Sequence, residues 1–595
     1  MSREELRSSQ EAEQTTRIHI FKSSVLNKAA TTQLNHLFSL GVFSFFINVL
    51  YLSSSIYMMQ IYDRVIPGGR VETLIMITLI LALALMTLSA LDAVRGIMLV
   101  RLSICVDAAV TPRLIEAAMD RSGEAGDERA QVIRDFDTFR QFVTGAGVTA
   151  LLDVPWFPIY IGIIWILHPL LAMVAAGGVA VTALFALFTE FNIRTPTQKA
   201  NKAAIHSYTV ADEMIRHREV ITGLHMQSAI ATNWRGTRND MLALGAGTSE
   251  HTTLFGSGTK LFRLLMQSSM LCVGSYLVIQ QELTAGSMIA ASILMGRVMA
   301  PVEQIIMAWK QFLSAREATG RVDRLLAAVP ARPRAMILPA PEGRLSVEKI
   351  IYAPGRDQPL LLKGISFDLL PGECLSVIGP SAAGKTTLIK ILVGAVRPTS
   401  GVVRLDGADL TSWDNEQLSQ VIGYLPQNVL LFQGTIRQNI ARFQETDDKE
   451  ILAAAQAAHA HALVAGLANG YNTPVRDGGS HFSGGQRQRV ALARALFGDP
   501  MLVMLDEPNA HLDSEGDTAL AQTLQRLKER KRTVIIVSHR PTTLALSDKI
   551  LLLRDGGVEK FGTATEVLPA LRRVHDTTAA VPLEKVATRS VVRGE

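Results

Sequence analysis

The stretch Cys374-Leu375-Ser376-Val377-Ile378-Gly379-Pro380-Ser381-Ala382-Ala383-Gly384-Lys385-Thr386 decides the fold of the C-terminal half. Its first five residues carry no charge and read as a short buried strand. The spacing G-x-x-x-x-G-K-T follows, and Thr387 to Val393 then continue with helical apolar spacing. Strand, loop and helix in that order are the context in which this spacing holds phosphate. Small residues let backbone N–H groups close on an anion, and the helix N-terminus adds partial positive charge. Lys385 is placed to reach the β and γ phosphates, and the Thr386 hydroxyl to bind Mg²⁺. The candidate nucleotide-binding residues here are Gly379, Pro380, Ser381, Ala382, Ala383, Gly384, Lys385, Thr386 and Thr387, with ATP and Mg²⁺ as cofactors.

Downstream, Met501 to Leu505 is a second apolar strand, and it ends in Asp506-Glu507. Asp506 suits a role in holding the metal. Glu507, one residue on, points differently and is the candidate general base. Ser483-Gly484-Gly485-Gln486 opens a third segment of interest, ahead of the helix-favouring run Arg487 to Phe497. A serine and two glycines at a helix start expose several N–H groups and make a second anion site. One nucleotide rarely needs two such helix ends from one domain. A head-to-tail pair solves this, with Ser483 of one copy facing Lys385 of the other. Strands and helices alternate through 344–571, the pattern of an α/β domain.

Upstream the chain changes character. Of 595 residues, 48% are hydrophobic and only 19% charged, below the usual ~25%. Ala29 to Tyr62, Leu74 to Leu91, Val154 to Thr189 and Leu264 to Gln281 are free of Asp, Glu, Lys and Arg, and so is the shorter, weaker run Leu283 to Gly296, which Arg297 follows. About 20 helical residues cross a hydrocarbon core of ~30 Å. The run from Val154 therefore holds two crossings, turned at His168-Pro169. Six crossings result, near 37–60, 73–92, 150–167, 170–190, 262–281 and 283–302. Lys and Arg crowd the first segment and the two long loops, and only Arg64 and Arg70 occur in the opposite loops. The basic side is cytoplasmic by the positive-inside rule, which puts both termini inside. The first apolar run is too long for a signal peptide.

The remaining segments are read as a flexible arm (1–36), a Pro-rich linker (316–343) following the membrane domain (37–315), and a polar tail (572–595). The long loops 92–150 and 190–262 carry helical spacing and are expected to be helices continuing out of the membrane. The net charge of +5 is too mild to indicate nucleic acid. Cys105, Cys272 and Cys374 are too scattered for disulfides or metal ligation. His459-Ala460-His461 reads as exposed helix surface. The expected fold is a polytopic α-helical membrane domain of six transmembrane helices fused to an α/β P-loop NTPase domain.

Together these residues resemble the ATP-binding cassette family, along the whole chain. In that resemblance Gly379 to Thr386 is the Walker A loop, and Asp506 and Glu507 are the Walker B pair. Ser483 to Gln486 is the signature motif, and Ala510 to Asp513 looks like the D-loop. The resemblance implies that Tyr352 stacks on adenine, that Gln427 is the Q-loop metal ligand, and that His539 is the switch histidine. It also implies a homodimer of half-transporters, with Glu507, His539 and Lys385 catalytic and Thr386, Gln427 and Asp506 on the metal. Tyr57 to Val65, Asp153-Val154-Pro155-Trp156, His168-Pro169, Gly296-Arg297 and Ala300-Pro301-Val302-Glu303 resemble type I secretion exporters. In the cassette, Gly379 to Thr387 and Asp506-Glu507-Pro508-Asn509 are similar to the branch that exports metalloproteases, lipases and haem-binding proteins and lacks an N-terminal peptidase-like domain.

For that branch the resemblance implies the bacterial inner membrane as location, in contact with membrane lipid. It further implies a periplasmic adaptor protein, an outer-membrane channel protein, and secreted substrates with C-terminal signals exported in one step. Two departures stand out. Phe482 replaces the usual Leu before the signature, and Arg476-Asp477-Gly478-Gly479 replaces a Gly and Glu pattern. The second departure bears on coupling to the membrane loops. A lipid or small-molecule flippase is the alternative function on the same fold. A membrane-anchored ATPase without transport leaves six crossings unexplained.

Overall fold

The computed structural model describes residues 22–120, 126–329, 337–355, 358–510 and 512–567. The chain divides into two compact units, Met1–Ala331 and Arg332–Glu595.

Among the described residues of the first unit, six helices are long and apolar enough to cross a membrane: Leu34–Gly68, Val71–Met119, Ala146–Leu167, Pro169–Arg216, Gln227–Ile279 and Ala285–Ala328. The second has 49 residues, so it runs ~74 Å at 1.5 Å per residue and extends far beyond any bilayer. The two long loops are therefore helical extensions, as their spacing indicates. At the turn between the third and fourth spans, His168 is extended and its Nδ1 accepts the Leu170 N–H at 3.2 Å. Pro169 at the next position needs no N–H partner.

The sixth helix gave the weakest apolar signal. It is also the most enclosed: 56% of its most apolar window is buried, against none of the second helix's. A helix that faces other helices can carry small and polar residues such as Gly286, Ser287 and Ser292, which lowers its hydropathy. Asp63, in a π-helical turn at Ile61–Val65, accepts the Gly286 N–H at 2.9 Å and the Thr284 hydroxyl at 2.7 Å. It thereby caps the start of the sixth helix.

Asp153 ties three spans together. Its Oδ1 accepts from Ser44 at 2.8 Å, Asn48 at 2.9 Å and Arg95 at 2.8 Å. Trp156 donates to Ser44, and the Tyr160 hydroxyl to Asn48. The sequence Asp-Val-Pro-Trp is thus the polar seam between the first three spans.

Two segment expectations need correction. The arm through His36 is ordered from Lys22 onward: Ser24–Thr32 is a helix with Leu26 buried against Val110, Leu114, Val322 and Leu326. The N–H groups of Lys22 and Ser23 donate to Asp323 at 2.9 and 2.7 Å. A distant acceptor thus supplies what the local polar sequence lacked. Residues 1–21 lie outside the described set. The linker expected from 316 begins as helix, because the sixth helix continues to Ala328. Asp135 holds this extension through a two-pronged pair with Arg321, at 2.6 and 2.8 Å. The tail 572–595 is outside the described residues.

In the second unit the core sheet has six strands in the order β12-β11-β3-β10-β9-β6. These are β3 (Cys374–Ile378), β6 (Ile422–Leu425), β9 (Leu502–Asp506), β10 (Thr533–Val537), β11 (Lys549–Arg554) and β12 (Gly557–Thr563). All pairings are parallel except β11 with β12. β3, β9 and β10 are buried along their whole length, so both faces are covered and the sequence shows unbroken apolar runs. Leu375, Val377, Met504, Ile535 and Val537 feed one core. That core includes a second, antiparallel sheet of β1 (Leu345–Tyr352), β2 (Leu362–Leu369), β4 (Ser400–Leu405) and β5 (Ala408–Asp409). Val503, Leu505, Val534 and Ile536 feed the other core, under the helix Gly484–Leu496. A small ladder of β7 (Gly434–Thr435) and β8 (Pro474–Val475) completes the set.

Candidate nucleotide site

Parallel strands deliver their C-terminal ends to one edge of the sheet, which is where such folds bind ligands. β3, β10, β9 and β6 are consecutive neighbours. The loops after them begin at Gly379, Ser538, Glu507 and Pro426, so four segments distant in sequence meet along one edge.

The first loop turns at Gly379, whose φ is 153° and where an added Cβ would lie 2.2 Å from the Leu553 carbonyl oxygen. Gly384, at φ 93°, is the N-cap of the helix Lys385–Leu392. Ala382 adopts a left-handed φ of 66°. Pro380 and Ser381 are exposed, while Ala383 is buried. Lys385 is buried, and its Nζ donates to the carbonyls of Gly379 at 2.7 Å and Pro380 at 3.0 Å. The ammonium therefore lies along the inside of the loop. Thr386 and Thr387 follow in the first helical turn.

Gln427 links the outer pair. Its Oε1 is 3.4 Å from the Thr386 hydroxyl, and its Nε2 donates to Glu507 Oε2 at 2.9 Å. Glu507 has a φ of 50°, a left-handed conformation that costs a non-glycine residue energy and persists only where the surroundings enforce it. Its N–H donates to the Val537 carbonyl at the end of β10 at 3.1 Å.

Asp506 is 1% exposed, and among the described residues neither carboxylate oxygen has a hydrogen-bond partner at normal bonding distance. Burial pushes its carboxyl above the usual range, opposed by the nearby Thr386 hydroxyl. The charge of Glu507 adds to the rise, while Lys390 and Lys385 counter it. His539 is exposed. Partial burial lowers its pKa, the charge of Lys385 lowers it further, and Glu507 opposes.

Not every expected residue joins this edge. Tyr352 ends β1, half-buried against the antiparallel-sheet core. Ser483 is exposed, and it caps its own helix: its Oγ accepts the Gln486 N–H at 3.2 Å, and the Gln486 side chain accepts the Ser483 N–H at 3.0 Å. Gly484 and Gly485 form the first helical positions. Phe482 is 6% exposed in the helical core, so the departure from Leu is a buried apolar exchange. Asp477, Gly478 and Gly479 form a turn with φ of 46°, 67° and 83°. The histidines near 460 do not share a helix surface. The helix Asp448–Ala457 ends before them, His459 has φ 52°, and His461 Nδ1 lies 3.0 Å from the Tyr471 hydroxyl.

The side-chain bonds that hold the segment after Glu507 had no signal of their own in the sequence. The Gln488 side chain donates to the Pro508 carbonyl just after Glu507. Asn509 joins Ser538 to Asp517, and Asp517 pairs with Arg540. These contacts lock the segment after Glu507 to the segment carrying His539. They connect residues far apart in the chain, and no spacing rule announces them.

Residues 362–510 match the ABC transporter family, and residues 37–302 match the ABC transporter transmembrane region. The chain is 38% identical over 551 residues to the type I secretion system ATP-binding protein PrsD of Rhizobium meliloti, covering 92% of this chain and 94% of that protein. It belongs to the ATP-binding cassette exporters of type I secretion. The leukotoxin export ATP-binding protein LtxB of Aggregatibacter actinomycetemcomitans is 27% identical, over 89% of this chain and 75% of its own length. A bacterial Atm1-family ABC exporter solved with ATP bound shares the fold, with a TM-score of 0.80 at 20% identity over 93% of this chain and 99% of that one. This exporter is accordingly a multi-pass membrane protein with a nucleotide-binding ATPase cassette, and it moves protein at the expense of ATP.

Proposed function

We propose that this exporter works as a homodimer in the bacterial inner membrane, with cassettes and termini cytoplasmic. It would pass proteins bearing a C-terminal signal through a periplasmic adaptor and an outer-membrane channel. The observation that carries the dimer is the split of the site. Lys385, Gln427, Glu507 and His539 share one sheet edge, whereas Ser483 and its glycines open a separate helix whose capping bonds stay within its own turn. A second copy would bring those N–H groups to the γ-phosphate.

Lys385 would neutralise the β and γ phosphates once the nucleotide replaces its loop carbonyls as partner. Glu507, held by Gln427, would take the proton of the attacking water. His539, kept neutral by its surroundings, would bond the γ-phosphate side. Tyr352 would stack on adenine. The donors Thr386 Oγ1, Gln427 Oε1 and the unpaired Asp506 carboxylate are hard oxygens that suit Mg²⁺. When bound, Mg²⁺ would screen phosphate charge.

The test compares single and paired protomers in lipid nanodiscs. Pairs should hydrolyse ATP, and single protomers should lose nearly all turnover. Equal rates would overturn the shared site. Co-expression with the adaptor and channel should release a C-terminal-signal protein into the medium. ATPase stimulation by lipid with no protein released would favour a flippase.

A further inference from the structure

Within the six crossings read from the sequence, the charged side chains are Asp92, Asp153, Glu190, Arg263 and Arg297. The first four have polar partners in the membrane unit. Asp92 and Asp153 pair with Arg95 at 2.7 and 2.8 Å, Arg263 pairs with Glu303 at 2.7 Å, and Glu190 accepts the Trp309 N–H at 2.5 Å. Arg297, half-buried in the sixth span, is different. Its guanidinium lies over the Tyr51 ring of the first span, 3.8 Å from the centroid. A ring face attracts the cation but leaves its N–H groups open at the edge. Among the described residues these N–H groups have no acceptor, and none of the nitrogens is sealed from solvent.

Two landmarks set the depth of this charge. Gly286, near the start of the sixth span, abuts the Met59 carbonyl near the end of the first. The two spans run in opposite directions, so from that level Tyr51 is ~12 Å along the first helix and Arg297 ~16 Å along the sixth, at 1.5 Å per residue. Tyr51, and the guanidinium with it, is thus near the middle of a hydrocarbon core of ~30 Å. A lone arginine in a span normally extends its head to the nearer interface. Here the nearer one is the cytoplasmic end of the sixth span, yet the head is held at the level of Tyr51. The helix surface beside it is also open: a Cβ added at Gly296 would meet nothing nearer than the Gln267 amide nitrogen at 3.9 Å.

A charge left without a counter-ion at this depth is costly, and such residues face a polar path rather than lipid. A guanidinium has five donors and no acceptor, so its ligand is an oxyanion, and a carboxylate fits it in two-pronged fashion. Lipid phosphates lie outside the hydrocarbon core, so the anion that reaches this depth is one that the exporter carries. We propose that Arg297, backed by Tyr51, receives the aspartate and glutamate side chains of the polypeptide in transit. The site rests on the protein-export reading and adds to it the cargo chemistry that the spans accommodate: Arg297 offsets the cost of drawing each carboxylate out of water, and without it acidic stretches cross more slowly.

The full chain is co-expressed with the adaptor and channel, and two cargoes ending in the same C-terminal signal are compared. One is an unfolded polypeptide rich in Asp and Glu, and the other is its Asn and Gln counterpart. Arg297→Gln should lower the acidic-to-amide ratio of released protein about tenfold. Arg297→Lys, which keeps the charge but not the fork, should lower it less. A purely structural role would lower both cargoes together and leave the ratio unchanged, which would overturn the site. If the variants do not fold, the unaltered exporter answers. With benzoylphenylalanine beside a glutamate, the acidic cargo should photolabel the segments around Tyr51 and Arg297 about tenfold more than the amide cargo. Equal labelling by the two cargoes would overturn the site, as would stronger labelling there by a phosphatidylglycerol bearing a benzophenone, which would give the arginine to lipid phosphate. Release of neither cargo by the unaltered exporter would overturn the export reading itself, and this site with it.

Discussion

Two aspartates, one in each unit, stand withdrawn from solvent in opposite surroundings. Asp153 in the membrane unit accepts from Ser44, Asn48 and Arg95 through one oxygen. Asp506 in the cassette is more deeply buried, yet among the described residues neither of its oxygens has a partner at normal hydrogen-bond distance. The first is finished by the protein's own donors and acts as a fastener. The second is left open among the described residues, as the proposed metal site would require. Buried carboxylates are costly unless matched, so the unmatched one marks chemistry and the matched one marks architecture.

The largest effect expected is at Glu507, the proposed base beside Asp506. Glu507→Gln should lower ATP turnover by about 10²- to 10⁴-fold while nucleotide stays bound, as measured by phosphate release and by nucleotide retained on the purified protein. Near-normal turnover would remove Glu507 from the role of base. Asp153→Ala should instead strike stability, because Arg95 is left buried and short of a partner. The loss should be about 3–5 kcal/mol, read as a lower thermal midpoint in detergent, with nucleotide affinity of the folded fraction unchanged. An unshifted midpoint would erase the contrast between the two aspartates.

Asp506→Asn should act the other way on the two readouts. Burial raises the folded pKa of Asp506 above its unfolded value of 3.8, so the folded state holds the proton more tightly. Stability from this group is full below the unfolded value and is lost as pH rises through the folded one. Asparagine removes that loss. The cassette should gain about 1 kcal/mol at neutral pH, with the gain vanishing in acid, while metal-dependent ATP hydrolysis fails. Destabilisation at neutral pH would show that Asp506 has partners after all. The smallest effect is expected at Phe482→Leu, which exchanges one buried apolar side chain for another. Its cost should stay below ~1.5 kcal/mol with turnover unaltered, and a large loss of ATPase would give Phe482 a role beyond packing.

Much of this exporter was legible in the chain itself, for reasons that are local. Cys374 to Thr386 form one continuous strand, loop and helix start, so every feature used to read a phosphate site is adjacent in sequence. The spans were legible because a crossing is a length of uninterrupted apolar residues, and the helical extensions because their spacing persists. The sixth span was the faintest, since its neighbours are helices rather than lipid. The docking of the helix Ser24–Thr32 was not legible, because the anchor of the segment, Asp323, lies about 300 residues away.

Tertiary structure alone decided the joins. Gln427 meets Glu507 across 80 residues, Asp63 caps a helix that starts more than 200 residues later, and Asp153 finds Arg95 and Ser44 on other helices. A side chain's local sequence sets its chemistry, but only the folded chain sets which donors and acceptors reach it, and that decides whether a buried charge is satisfied or left open to bind.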